Sequence, residues 1–224
     1  MSQRLLFPDA DAAADALTFA GRTTPLGDGG VRLQAAGGTL AMTSAPLAPR
    51  GLLDASPTVL ALRALPIDPE LVCDIVVEAS ALAKSDDDPR AVELPDVGLS
   101  PAWAGIAPPR SGWEAVGSIP AADLASRAQY GIAAVAESMP ADPGEDVVRA
   151  VRGTVWGAPD ELLHGLPLGT AFAAFALGFI VGEEEARVLA SGPWTRVTLD
   201  RGHVLVRGPV RTGLTAVRRT GSSG

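Results

Sequence analysis

Apolar and polar positions alternate along several short segments of this chain, and such alternation predicts β-strands. In the N-terminal part, strands are expected at 4–7, 31–35, 39–44 and 58–65. Ala36-Gly37-Gly38 can form the turn of a hairpin between the second and third of these strands. Three more strands are expected towards the C-terminus, at 186–191, 194–199 and 203–207. The pattern therefore predicts a mixed or antiparallel sheet.

Other segments space their apolar residues at helical intervals and predict about five helices. Residues that suit helix starts support four of them: Asp9 or Asp11 for the first, Asp68-Pro69 for the second, Pro120 for the third and Asp142-Pro143 for the fourth. The first four helices are expected at about 10–20, 68–82, 120–138 and 142–156. Strands together with helices predict an α+β fold.

The fifth helix is expected in an apolar stretch from Leu166 to Val181. A helix that is apolar on every side is buried in a core or in an oligomer interface, so a homo-oligomer is left open. Ala174 and Gly178 lie four residues apart and permit the close approach of another backbone. The stretch is too short to span a bilayer, which takes roughly 20 residues. The N-terminal residues turn acidic too early for a signal peptide, and a cytoplasmic protein is expected.

The stretch from Lys84 to Pro95 is acidic, contains two prolines and is expected to be an exposed loop. It is also the best candidate for a boundary between two lobes. A single α+β domain over 1–224 is expected, with a two-lobe split near 84–98 as the alternative. Residues 97–117 are rich in proline and glycine and are expected to be irregular.

The formal net charge of −8 argues against general binding of a phosphate backbone. The charge is unevenly distributed, however. From Arg187 to the end there are seven arginines and one acid, a net charge of +6, so the rest of the chain carries −14. This asymmetry indicates a basic docking surface, or a segment that lies against the protein's own acidic surface. Nucleic-acid binding through the basic C-terminal segment is the least favoured function.

The last two predicted strands form a β-hairpin whose two faces can be assigned. If Arg201-Gly202 are the central turn residues, Asp200 lies opposite His203 and Arg196 lies opposite Arg207. The core face is then formed by Val197, Leu199, Val204 and Val206. The other face displays Trp194, Arg196, His203 and Arg207.

Two opposed arginines repel each other, so an anion or an acidic partner between them is expected if the face is functional. The alternative is that the side chains diverge and each finds its own acid or solvent. In the predicted register Asp200 holds His203 and could raise its basicity. The segment from Trp103 to Trp113 is expected to expose Arg110 between aromatic residues, or to fill the gap between two lobes with both tryptophans.

No catalytic or nucleotide-binding motif occurs in the sequence, and no cofactor or metal is expected. Cys73 lies in an apolar stretch and reads as a small buried residue. The leading hypothesis is a non-enzymatic binding or assembly protein that engages a partner, such as an acidic protein, through the loop at 103–113 and the face of Arg196 and Arg207. An enzyme or small-molecule binder for an anionic ligand, using Arg110, Arg196 and His203, is the alternative. The candidate binding residues are Trp103, Arg110, Trp113, Trp194, Arg196, His203 and Arg207.

Four segments within residues 99–207 resemble conserved uncharacterised proteins of actinobacteria. They are SPAWAGIAPPRSGWEAVGSIPA, VRAVRGTVWG, LPLGTAFAAFALGF and GPWTRVTLDRGHVLVRG. None of these segments is a known catalytic signature. The resemblance therefore implies a lineage and no particular activity.

Overall fold

The computed structural model describes residues 4–51 and 54–208, which contain four α-helices and eleven β-strands. The helices are α1 (Ala10–Thr23), α2 (Ala121–Ser138), α3 (Glu145–Gly157) and α4 (Gly169–Ala176). The strands of the first half are β1 (Arg4–Leu6), β2 (Gly30–Ala36), β3 (Thr39–Leu47), β4 (Thr58–Pro66), β5 (Cys73–Glu78), β6 (Ala83–Lys84) and β7 (Ala91–Glu93). The strands of the second half are β8 (Glu114–Pro120), β9 (Glu185–Ser191), β10 (Trp194–Leu199) and β11 (Gly202–Arg207). The α+β class expected from the sequence is confirmed, with four helices in the described residues where about five were expected.

Eight strands form one antiparallel sheet in the order β5-β2-β3-β4-β11-β10-β9-β8. Each half of the chain contributes three consecutive strands in a meander, β2-β3-β4 and β9-β10-β11. The two meanders meet where β4 pairs with β11, with Leu62 opposite His203 and Thr58 opposite Arg207. Both halves of the chain therefore share one continuous sheet. The two-lobe split near 84–98 stays a prediction.

A helical layer covers one face of the large sheet. It includes α1, α2 and α4, and α4 contacts both β4 and β11 at the junction of the two halves. The core between the helices and the sheet contains fully buried side chains from both halves, such as Leu33, Met42, Val59, Leu124, Ala174 and Val204. Burial of apolar area on this scale is the main source of stability for such a layer.

The apolar stretch at 166–181 forms a shorter helix than the sequence predicted. The helix α4 ends because Gly178 adopts a left-handed conformation, with φ of 69°. The Arg22 guanidinium group donates a 2.9 Å hydrogen bond to the carbonyl of Leu177 and so satisfies one terminal carbonyl group. Phe175 is 40% exposed, so the helix is not buried on every side. Gly178 therefore ends the helix, and the group packed against it is the Arg22 side chain rather than a second backbone.

The helix predicted at 68–82 is wrong. The Asp68 carboxylate accepts a 2.9 Å hydrogen bond from the amide of Glu70, which stabilises a turn, and the chain then forms strand β5. Strand β5 pairs with β2 along its whole length, with Val77 opposite Val31. Val77 is buried and Val72 is 79% exposed. The pairing with β2 outweighs the helical spacing of the apolar residues, because strand preference depends on the neighbouring strand.

Three other local predictions are corrected. The stretch at 84–95 is not wholly an exposed loop, because β7 pairs with β1 and with β6, and Val92 is completely buried. The irregular region at 97–117 contains the start of strand β8, in which Ile119 is the one buried residue. Helix α3 begins at Glu145 with Gly144 as N-cap, and Asp142 has a positive φ of 55° instead of capping the helix.

The segment that connects the two halves, residues 99–113, lies across the opposite face of the sheet. The amide of Leu99 donates to the carbonyl of Val76 at 2.7 Å, and the Arg32 guanidinium group donates to the carbonyl of Ala104 at 2.7 Å. A second apolar cluster forms under this segment, with Ala45, Leu60, Val76, Trp103, Trp194 and Leu205 as its buried members. We call residues 99–113 the connecting segment.

Within the described residues, no helix is both long and apolar enough to cross a membrane.

Candidate functional site

The pairing of the C-terminal hairpin differs from the predicted register. The central turn residues are Asp200 and Arg201, so Thr198 lies opposite His203 and Arg196 lies opposite Leu205. Arg207 lies opposite Trp194. The predicted pairing of Arg196 with Arg207 is therefore wrong, although the two residues lie on the same face. The register shift moves each partner by two residues, and a shift by an even number leaves the faces unchanged.

A contact from outside the hairpin accompanies this register. The Glu184 carboxylate accepts hydrogen bonds from the amide of Asp200 at 2.9 Å and from the amide of Val181 at 2.9 Å. The bond from Asp200 fixes the turn to the segment that precedes β9, and the bond from Val181 orders that segment itself. The sequence gives no direct sign of this contact, because Glu184 and Asp200 are 16 positions apart.

Arg196 is stacked on an aromatic ring at the surface of the sheet. Its guanidinium carbon lies 4.7 Å from the centroid of the Trp113 ring, a favourable cation–π distance. The Nε atom of Arg196 is buried and has no hydrogen-bond partner among the described residues. Burial lowers the pKa of Arg196, and the nearby charge of Arg187 lowers it further. Arg196 is thus a partly desolvated cation beside a group of the same sign.

His203 is near the positive charges of Arg196 and Arg187. Its Nδ1 atom lies 3.1 Å from the Thr198 hydroxyl oxygen. Burial lowers the pKa of His203, and the charges of Arg196 and Arg187 lower it further. The predicted pairing with Asp200, which would have raised the basicity of His203, is therefore wrong. These surroundings favour the neutral form of the imidazole.

Arg187, Arg196, His203 and Arg207 lie on the same side of β9, β10 and β11, and we call these four residues the basic face. Arg187 is exposed and the other three are half-buried. None of these four residues forms a salt bridge within the described part of the chain. Three further arginines of the predicted basic segment, Arg211, Arg218 and Arg219, lie outside the described residues.

The connecting segment places the remaining candidate residues. Trp103 and Trp194 are 5% and 4% exposed, so both support the surface from below and neither is displayed on it. The Trp113 indole N–H donates to the carbonyl of Pro109 at 3.0 Å, which stabilises a tight bend. Arg110 is exposed and close to Asp74, whose carboxyl pKa is lowered mainly by a hydrogen bond from Arg32 and to a lesser degree by Arg110. Arg110 is thus associated with the β5 edge, whereas Trp113 packs on Arg196.

A cleft of about 670 Å³ was not predicted from the sequence. It is bordered by residues 25–28, 45–50, 101–103 and 143–156 and by Phe172. Its apolar lining includes Leu26, Leu47, Trp103, Val148, Trp156 and Phe172. The only signal in the sequence was the aromatic and arginine content of these segments, which lie too far apart along the chain to be connected without the fold.

A second depression, of about 470 Å³, lies where the β10–β11 turn meets α1. It is lined by Asp15, Arg63 and His203 among others, and Arg63 forms an ion pair with Asp15. Neither this depression nor the cleft brings Arg110, Arg196 and His203 together. Within the described residues, no group of three or more His, Cys, Asp or Glu side chains could hold a metal ion.

Two family models match the chain, and each is a domain of unknown function. DUF8010 matches residues 1–105 and DUF8185 matches residues 108–211. Their border falls within the connecting segment. Among curated proteins, no sequence matches this chain.

Solved structures of similar fold include a sliding clamp, the beta subunit of DNA polymerase III, from Bartonella birtlesii bound to griselimycin. This similarity covers 97% of this chain and 68% of that chain, with 11% sequence identity and a TM-score of 0.51. The fold resembles that of a sliding clamp. The sliding clamp from Caulobacter crescentus matches at 13% identity over 96% of this chain and 67% of that chain, with a TM-score of 0.46. The beta subunit from Borrelia burgdorferi, in complex with a natural product, matches at 9% identity over 99% of this chain and 68% of that chain, with a TM-score of 0.49. At these identities the likeness concerns the fold alone.

Proposed function

We propose that this protein is a non-enzymatic binding or assembly protein that engages an acidic segment of a partner protein through its basic face. The similar fold of a DNA polymerase III subunit, which is itself part of an assembly, supports a binding role. The actinobacterial lineage suggested by the sequence over 99–207 is part of the same proposal.

The observation that carries this proposal is the environment of Arg196. A guanidinium group that is partly removed from water loses solvation energy, and a carboxylate normally compensates for that loss. Arg196 has instead an unpaired Nε atom, an aromatic ring on one side and Arg187 nearby. A carboxylate supplied by a partner would accept hydrogen bonds from Arg196 and neutralise the repulsion between the two arginines.

The surroundings of the basic face favour a protein partner over a nucleic acid. The chain as a whole has a net charge of −8 and would repel an extended phosphate backbone. Helix α1 adds Asp11 and Asp15 to the depression at one end of the hairpin. A short acidic segment can contact a small basic area that is surrounded by acidic surface, whereas a long polyanion would also meet the acids.

Fluorescence anisotropy with a labelled ten-residue peptide of alternating Glu and Ala tests this proposal. The wild-type chain is expected to bind the peptide and to lose affinity as the salt concentration rises. The double variant Arg187→Gln, Arg196→Gln is expected to bind at least about tenfold more weakly, because each removed contact is a charge-assisted hydrogen bond. The control is Arg90→Gln, which removes an exposed arginine that is already paired with Asp88.

Equal affinities of the wild-type chain and the folded double variant would contradict the proposal. A second titration uses a single-stranded oligonucleotide of the same net charge. Tighter binding of the oligonucleotide than of the peptide would favour nucleic-acid binding and would also contradict the proposal.

A further inference from the structure

We propose that the cleft between the two halves is a binding site for an amphipathic organic anion, a small molecule with an aromatic or aliphatic body and one carboxylate. This site is separate from the basic face, and it does not depend on the function proposed above. The volume of about 670 Å³ is within the range of small-molecule sites in proteins, roughly 300 to 1,000 Å³.

The floor of the cleft is apolar and aromatic. Trp156 is stacked on Phe172, with 4.2 Å between the ring centroids, and Trp103 lies on the other side. The indole N–H of Trp103 is already bonded to Asp28, so this donor is satisfied. Trp103 and Trp156 are 5% and 4% exposed, and the half-buried ring of Phe172 supplies the aromatic surface that a ligand can reach. Such a floor favours a flat or elongated apolar body.

The lining of the cleft is rich in proline. Five of its lining residues are prolines, which lack an amide N–H group: Pro25, Pro46, Pro49, Pro101 and Pro143. At these five positions the backbone offers a ligand no N–H donor, and the lining arginines are the charged donors. Prolines also restrict the backbone, so the walls are largely formed before a ligand binds.

The side chains at the rim favour a negative charge. Arg50, Arg149 and Arg152 line the cleft, and its two acidic lining residues are Asp28 and Glu145. Both oxygens of Asp28 accept hydrogen bonds, from the amide of Gly30 and the indole of Trp103. Glu145 lies beside Arg149, which is also paired with Asp146. Within the described residues neither Arg50 nor Arg152 forms a salt bridge. We assign the ligand carboxylate to Arg152, which lies on α3 one turn from Val148.

Helix α3 is a wall that the protein itself does not fully pack. Only Trp156 of this helix is buried, and Val148 on the cleft side is half-buried. A ligand body against Val148 and Phe172 would cover apolar surface that is otherwise in contact with water. Ligand binding is thus expected to stabilise the position of α3.

Isothermal titration calorimetry with 2-naphthoate and its neutral isostere 2-naphthamide tests the proposal on the full chain. The two probes have nearly the same shape and differ in charge. The wild-type chain is expected to bind the carboxylate about tenfold more tightly than the amide. The variant Arg152→Gln is expected to lose most of this preference while it still binds the amide. Because Arg152 is exposed on α3, its replacement is not expected to unfold the chain.

Two further variants locate the site. Val148→Asp places a charge on the apolar wall and is expected to abolish binding of both probes, with an unchanged circular dichroism spectrum. Arg4→Gln removes an exposed arginine on β1, outside the cleft, and is expected to leave both affinities unchanged. The proposal is overturned if the wild-type chain does not bind naphthoate at millimolar concentration. It is also overturned if wild type binds the two probes equally, or if the folded Arg152→Gln variant keeps the full preference.

Discussion

The indole N–H of Trp103 donates a 2.7 Å hydrogen bond to the carboxylate of Asp28, although 75 positions separate the two residues in the chain. This bond attaches the connecting segment to the turn after α1. The variant Asp28→Ala leaves a buried donor unpaired and is expected to lower the free energy of unfolding by about 1 to 3 kcal/mol. Urea denaturation measures the loss, and tryptic cleavage after Arg110 should become faster.

Asp96→Ala is the matched control for this prediction, because Asp96 is an exposed acid just before the connecting segment. Its removal should change neither the unfolding midpoint nor the cleavage rate. Asp28→Asn keeps an acceptor oxygen and should retain most of the stability. If Asp28→Ala is as stable as wild type, the bond does not hold the segment in place.

Two arginines with different surroundings should respond differently to replacement by methionine. Arg127 is paired with Asp160 at 2.8 Å, and both side chains are largely buried. Arg127→Met leaves the Asp160 carboxylate without its partner and is expected to lower the free energy of unfolding by about 2 to 3 kcal/mol. Arg196→Met loses a cation–π contact but also removes a partly desolvated charge. The free energy of unfolding should therefore change by no more than about 1 kcal/mol. Thermal and urea unfolding of the two variants measure the difference, and similar losses would show that Arg196 has a structural role.

The lowered pKa of His203 makes stability depend on pH. The unfolded chain takes up a proton near the ordinary value of about 6.5, whereas folded His203 resists protonation. The contribution of His203 is therefore fully present above about pH 6.5 and is lost as the pH falls from there towards its folded pKa. His203→Gln should remove this part of the pH dependence, as measured by urea unfolding between pH 7.5 and 5.

NMR titration provides a direct check. Arg196→Met should raise the pKa of His203, because it removes a positive charge that contributes to the lowering. The other histidine, His164, can be assigned with His164→Asn, since asparagine tolerates its left-handed conformation of φ 57°. A His203 pKa that is unchanged by Arg196→Met would contradict the proximity of the two groups.

Gly131 in α2 is expected to be intolerant of a side chain. A Cβ atom at this position would overlap the Trp156 ring, and that ring is confined by Phe172. Gly131→Ala should therefore lower the free energy of unfolding by about 1 to 3 kcal/mol. Gly21→Ala in α1 is the control, since nothing lies near its Cβ position, and it should stabilise the chain by about 0.5 to 1 kcal/mol. Equal effects in calorimetry would mean that Trp156 moves aside without cost.

The sequence was most informative where local chemistry decides the structure. The strands around Gly37-Gly38 were predicted correctly, because two consecutive glycines mark a turn that requires positive φ angles. In the structure these angles are 56° and 78°. The two faces of the C-terminal hairpin follow from the alternation of valines with polar residues. This alternation cannot distinguish registers two residues apart, so the opposition of Arg196 and Arg207 was predicted wrongly.

The sequence was misleading where a distant partner decides the structure. Strand β5 has helical spacing of its apolar residues and becomes a strand because β2 offers a free edge. Strand β8 has a single buried residue and therefore shows no alternation. The cleft could not be predicted, because its walls come from five separate segments that only the folded chain brings together.

Because β4 pairs with β11, the two halves of the chain are not expected to fold well as separate fragments. The matches to two domain families fall on either side of residues 105–108, as if each part were an independent module. Cutting there would leave each fragment with a long apolar border strand, Val59 and Leu60 in one and Leu205 and Val206 in the other. Such borders invite pairing with other chains. The two fragments should therefore be soluble when co-expressed and should aggregate when produced separately.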